Sequence, residues 1–371
     1  KSVINVETLS LTGLNTDPES SPATLKLKST VDNALVVING NADLFSTTPG
    51  FNGKLVIKSF NASPYLVLAP EQRRNNQLTV SIDSQVNIDK TGESGLSVEQ
   101  DGHITFDDIA WLDADTDIKA SQVSWRGAID IISSSAKDLR VNTDGMLRAD
   151  KLGLNARAAE LLLENEQFVW QGKADTRMPG SSDIKVVLNG QLLNSKLDLD
   201  LNQQKTLVKN GNLNWQGKAD IHLSVDGSLK INSEGQIQDE ALRIERAEQE
   251  FLLETEAFAW QGDIAIGKLA NAMTIESLSD MKLSGLRMNT LEESERLVTA
   301  KEIKADKVNI KSIDEVLLKS LSLSGFSIGH PLKLEQLPAT LDGFLNYEEV
   351  IVDQVNYSTQ QGIEIKSIAQ S

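Results

Sequence analysis

The sequence predicts a mainly β protein: an elongated, curved antiparallel β-sheet array built of repeats of about 45 residues, forming a β-groove with short helices only. Three observations predict it. A Trp-Gln/Arg-Gly triplet recurs at Trp125, Trp170, Trp215 and Trp260, each interval being 45. Apolar and polar residues alternate around each triplet, the period of a half-buried strand. Asp-Gly and Asn-Gly dipeptides, favoured in tight hairpins, are spread along the chain.

The triplet is not alone in its phase. Gly145, Gly190 and Gly235 are again 45 apart, and Glu160–Trp170 matches Glu250–Trp260 at 90, twice the period. Leu9–Leu14, Met281–Leu286 and Leu321–Phe326 form a second family of strands that end on Gly-Leu or Gly-Phe. The reading divides the chain into an N-terminal β-groove unit (1–99), a regular repeat array (100–275) and a C-terminal β-groove unit (276–371), one continuous array cut from a longer chain. Asp-Gly at 101–102, 144–145, 226–227 and 342–343 and Asn-Gly at 39–40, 189–190 and 210–211 read as hairpin turns. Each repeat then holds about four or five short strands. Helix candidates are Ser63–Leu68, Ala156–Leu163 and Leu291–Ala300, the second ambiguous with strand.

Alternation sorts the residues around each Trp into two faces. The dry face carries Val123, Trp125, Ile129 and Ile131; Phe168, Trp170 and Ala174; Leu213, Trp215, Ala219 and Ile221; and Phe258, Trp260, Ile264 and Ile266. The other carries Arg126, Gln171, Lys173, Gln216, Lys218, Gln261 and Asp263. One dry and one wet side is the mark of antiparallel sheets. Repeats that cannot close their own core share one apolar surface, and a surface of that size needs an occupant or a cover. Either the sheet curls into a trough for an apolar ligand, or it closes on itself as a β-solenoid or sandwich. The Trp row fits packing and ligand contact alike.

A formal net charge of −17 opposes nucleic acid. The absence of cysteine excludes disulfides and thiolate chemistry. No run reaches the roughly 18–20 apolar residues of a membrane helix. No cofactor or metal is expected, and no catalytic residue. Gly325-Phe-Ser327-Ile-Gly329 matches the nucleophile-elbow pattern, but prolines follow where a helix is needed. Asp113, Asp115 and Asp117 lack the glycine and glutamate of a calcium loop. His103, His222 and His330 show no metal-ligand spacing. Asp198 and Asp200 share a wet strand face, and Gly50–Lys54 is too short for a phosphate loop.

Pro22–Lys28, Leu35–Gly40, Gly53–Phe60 and Ser63–Tyr65, with Leu283–Met288, Lys304–Ile310 and Leu321–Phe326, resemble strands of the bacterial AsmA-like and TamB-like envelope proteins. The likeness spreads over most of the chain through degenerate β patterns. It implies a bridge-like lipid-transfer protein: non-enzymatic, periplasmic, and held in the inner membrane by an anchor outside this sequence. Phospholipid acyl chains would move between inner and outer membranes along a hydrophobic β-groove, with envelope proteins as further partners. The rival from the residues alone is a structural envelope scaffold or adhesin with a closed β-solenoid.

Overall fold

The computed structural model describes residues 3–370 apart from 18–20, 66–76, 92–94, 114, 135–137, 158–159, 181–182, 202–204, 248–249, 270–271, 292–295, 313–314, 329–344 and 359–361. Those residues are nearly all β and form a large antiparallel sheet, with no α-helix among them. The chain divides into two compact units, one of Lys1–Leu154, Gln167–Gly190 and His222–Val225, the other of Asn155–Glu166, Gln191–Ile221 and Asp226–Ser371.

In the first unit a meander runs through β1 (Ile4–Thr12), β2 (Ala23–Val31), β3 (Ala34–Asp43), β4 (Gly50–Asn61), β5 (Gln77–Thr91), β6 (Gly95–Leu112) and β7 (Thr116–Ser133). Each strand pairs antiparallel with the next. Then come β8 (Leu139–Ala156), β9 (Leu161–Met178), β10 (Ile184–Leu201) and β11 (Thr206–Leu223), which give residues to both units. The second unit continues with β12 (Leu229–Glu240), β13 (Arg243–Arg246), β14 (Phe251–Glu254), β15 (Ala257–Leu269), β16 (Ala272–Thr290), β17 (Arg296–Ser312), β18 (Glu315–Ile328), β19 (Leu345–Ser358) and β20 (Gly362–Gln370).

Six strands of the second unit close a ring of pairings, β11–β12–β15–β16–β14–β13 and back to β11. The ring has a simple origin. β12 and β13 are one line of chain interrupted at Ala241 and Leu242, and β15 and β14 another, interrupted at Thr255 and Glu256. Backbone bonds from Thr255 N to Leu242 O (2.9 Å) and from Ala241 N to Glu256 O (3.1 Å) stitch across the gap.

Strand length departs from the expectation. β6 to β11 are 18 residues each, so the stretch from one Trp triplet to the next holds two long strands, not four or five short ones. β7, β9 and β11 start at Thr116, Leu161 and Thr206, and β8, β10 and β12 at Leu139, Ile184 and Leu229, again at steps of 45. The error lies in the Asx-Gly pairs. Those at 39–40, 101–102, 144–145, 189–190 and 210–211 lie inside strands, and of the described pairs only Asp226-Gly227 makes a turn. Residues 342–343 are outside the described residues. A glycine needs no turn to be useful: it also lets two backbones and an aromatic ring come close.

The helix candidates also give way. Ser63–Tyr65 is a single 3-10 turn, with 66–68 outside the described residues. Ala156 ends β8 and Leu161–Leu163 open β9, while residues 296–300 begin β17. β-branched and leucine-rich alternation prevails over helix propensity once neighbouring strands supply hydrogen bonds.

Candidate functional site: the apolar face of the sheet

Paired residues of an antiparallel sheet share a face, so the register traces the Trp125 side across the first unit. Trp125 pairs with Ile104, Ile104 with Ile82, Ile82 with Ile57, Ile57 with Val36, Val36 with Ser29 and Ser29 with Val6. Three rows along, Ile131, Val98, Ile88, Phe51, Ala42 and Ala23 follow each other in the same way. In the second unit Ile237, Trp260, Met281, Ala305 and Leu321 form one row, and Phe258, Leu283, Ile303 and Leu323 the next. The face is thus contiguous within each unit.

All fifteen residues assigned to the dry face are buried or half-buried: Trp125, Trp170, Trp260 and Ala219 fall at 7–9 % exposure, the rest between. Arg126, Gln171, Lys173, Gln216, Lys218, Gln261 and Asp263 are exposed. Leu223, next in the Trp215 alternation, is 40 % exposed at the end of β11 and leaves the face.

The Trp-x-Gly triplet has a geometric reason. Trp125 lies flat along the sheet, its Nε1 donating to Gly127 O at 3.3 Å. A Cβ on Gly145 would stand 2.8 Å from its ring, and one on Gly190 3.0 Å from the ring of Trp170. Gly127 has φ +137°, and a Cβ there would meet Asp144 O at 2.3 Å. The ring covers a pair of cross-strand glycines that no side chain could occupy. Phe51-Asn52-Gly53 repeats the device: Cβ atoms at Gly40 and Gly53 would lie 2.9 and 2.7 Å from the Phe51 ring. That stretch is strand, part of β4.

Alternation hid one set of residues. Asn165, Asn210 and Thr255 are buried at 4, 9 and 4 % exposure and are spaced by 45. Each stands five residues before a Trp, an odd step that a regular strand would send to the opposite face. A break intervenes. Lys151, Lys196 and Ala241, also 45 apart, have φ of +53°, +50° and +57° and kink their strands. Asn165 Nδ2 donates to Ser195 O (3.2 Å), and Leu197 N donates to Asn210 Oδ1 (3.1 Å), so two side chains clamp the kink at Lys196 from both sides. Ser121 Oγ does the same for Asp150 O (3.0 Å), Asp280 for the Lys307 amide (2.9 Å) and Ser81 for the Ser59 amide (3.1 Å).

Asp239 belongs to this row and differs from it. It pairs with Phe258 two residues along from the Ile237–Trp260 pair, hence on the Trp face, at 4 % exposure. The Glu240 amide and the Asn210 side chain donate to its carboxylate, yet its Oδ1 has no hydrogen-bond partner. Burial is the main cause that pushes its pKa up to about 6.

The other singled-out groups do not assemble. Among the described residues no three His, Asp or Glu side chains converge on a metal position. His222 faces Asp183 at 3.7 Å and His103 the Thr105 hydroxyl at 3.3 Å. Ser327 lies within β18, paired with Thr299 and Asn346, so it occupies extended strand rather than a sharp elbow; Gly329 and His330 are outside the described residues. A shallow depression of about 690 Å³ opens on the polar face of the second unit, rimmed by Lys218, Asp220, Glu234, Asp263 and Glu276.

Fold and site together define a β-sheet protein with one polar and one apolar face. No protein-family model, curated protein or solved structure matches the chain.

Proposed function

We propose that this chain is a non-enzymatic lipid-transfer segment of the AsmA-like and TamB-like kind, in which the 45-residue unit is the building block of a β-groove. Phospholipid acyl chains would pass along its apolar face, across the periplasm between inner and outer membranes, with the full protein anchored in the inner membrane. The observation that carries the reading is an apolar face, contiguous within each unit, whose larger aliphatic side chains are covered only in part. Among the described residues the only side chain under 2 % exposure is Ser84, and no leucine, isoleucine or phenylalanine is fully buried. A closed sandwich or solenoid scaffold would bury such residues outright. A buried methylene is worth roughly 0.8 kcal/mol, so a chain of about 16 carbons gains roughly 10 kcal/mol on such a face. Neighbouring rows are alike, so sliding exchanges similar contacts.

Photo-crosslinkers test it. At Ile129, Ala174, Ala219 or Ile264 they should capture phospholipid in cells, and at Arg126, Gln171, Gln216 or Gln261 they should not. Equal capture from both faces, or none from either, would refute the groove.

A further inference from the structure

Asp239 is a carboxylic acid set into the apolar face, and among the described residues no cation pairs with it. Its pair Phe258 and the next residue of that row, Leu283, are apolar. On the β11 side, the register that pairs Thr206 with Arg246 and brings Gly217 against Gly235 sets Leu213 beside it. The Glu240 amide and the Asn210 side chain are its hydrogen-bonding neighbours, both neutral, and the Glu240 carboxylate adds a smaller upward push. The charged groups of the surrounding strands point the other way. Glu240 accepts from Asn212 Nδ2 (2.9 Å), Lys209 pairs with Asp198 (2.7 Å), and Arg243 bridges Glu245 and Glu254 (2.6 and 2.8 Å), all partly exposed. Forty-five residues earlier the same place holds Asn194, whose Oδ1 accepts from Asn165 (2.8 Å). An amide therefore suits the position. A carboxylate with one oxygen unpartnered is costly there when ionised.

We propose that Asp239 makes the apolar face of the second unit proton-responsive. As the neutral acid it leaves the path from Leu213 to Phe258 and Leu283 apolar; as the carboxylate it draws water into that row and loosens the hold on an acyl chain. The inference rests on the lipid reading of the face. Burial is what places the transition near pH 6. The sign follows from a folded-state pKa above the unfolded one. The group's contribution to stability is complete below the ordinary carboxylate range and is lost as pH rises through about 6.

The test places a benzophenone amino acid at Phe258, with a second variant carrying it at Phe168 in the first unit as control. The probe is phosphatidylcholine, whose headgroup does not titrate in this range, presented in vesicles at roughly pH 5 and pH 7.5. Capture at Phe258 should rise several-fold at the lower pH, while capture at Phe168 stays level. Asp239→Asn should give high, pH-independent capture at Phe258. It should also raise the unfolding midpoint near pH 7.5 and not near pH 4. Asp239→Leu should reproduce the capture result without any hydrogen-bonding group. Capture at Phe258 that is equal at both pH values, or a pH dependence that survives both substitutions, overturns the role of Asp239 and leaves the lipid reading standing. No capture at either position at either pH overturns the lipid reading and this inference with it.

Discussion

A ring laid over two facing glycines is the residue-scale unit of this protein. The ring supplies the apolar cover, and the glycines supply the flat floor that a Cβ would destroy. At Gly127 the backbone sits at φ +137° and the neighbouring carbonyl oxygen is where a methyl would go. Gly127→Ala should therefore lower unfolding stability by about 1–3 kcal/mol, through strain and a forced strand separation. Gly153, in β8, has nothing within 4 Å of its would-be Cβ. Gly153→Ala should stay within about 0.5 kcal/mol of the parent. Denaturant titration of the pair measures the difference. Equal effects would mean that the glycine row is incidental.

At the scale of the element, an 18-residue strand is long for a twisted sheet and needs places to bend. The kinks at Lys151, Lys196 and Ala241 are those places. A kink takes backbone groups out of the regular pairing, and buried ones must find other partners. Asn165 and Asn210 are those partners for Lys196. Asn210→Ala leaves the Leu197 amide and the Asp239 carboxylate without a bond each, and should cost about 1–3 kcal/mol. Asn212→Ala, which removes only an exposed bond to Glu240, should cost under about 0.5 kcal/mol. Amide hydrogen exchange at Leu197 reads the same loss locally. Unchanged protection there in Asn210→Ala would show that the clamp is not what holds the kink.

At the scale of the whole molecule, what is missing among the described residues is a core of large aliphatic side chains: the buried apolar residues are alanines, tryptophans and Val308. An apolar side covered only in part should be stabilised by whatever occupies it. Phospholipid at 100 times its dissociation constant should add about 2.7 kcal/mol to the unfolding free energy. Ala219→Asp, a carboxylate at a position 9 % exposed on that side, should lower stability, still fold, and lose the increment. Collapse of Ala219→Asp together with no response to lipid would instead favour a closed scaffold.

The amino-acid sequence by itself determined the strand faces. Alternation depends only on the period of an extended chain, so Phe168, Trp170 and Ala174 could be separated from Gln171 and Lys173 without coordinates. It determined the spacing of 45 as well, since Trp125 to Trp260 and Gly145 to Gly235 are counted directly. Strand length was not legible. Asn189-Gly190 is the same dipeptide in a hairpin turn and in the middle of β10, and only the Trp170 ring above Gly190 tells the two apart. The polar row was half legible. Asn165, Asn210 and Thr255 share the spacing, but what Asn165 and Asn210 bind is the kink of a neighbouring strand at Lys196, a left-handed residue that carries no signature of its own. Asp239 shows the limit most plainly. A lone aspartate in a strand reads as surface, and it is the register setting it opposite Phe258, together with the loss of water on that face, that makes its carboxyl a group with a pKa of about 6.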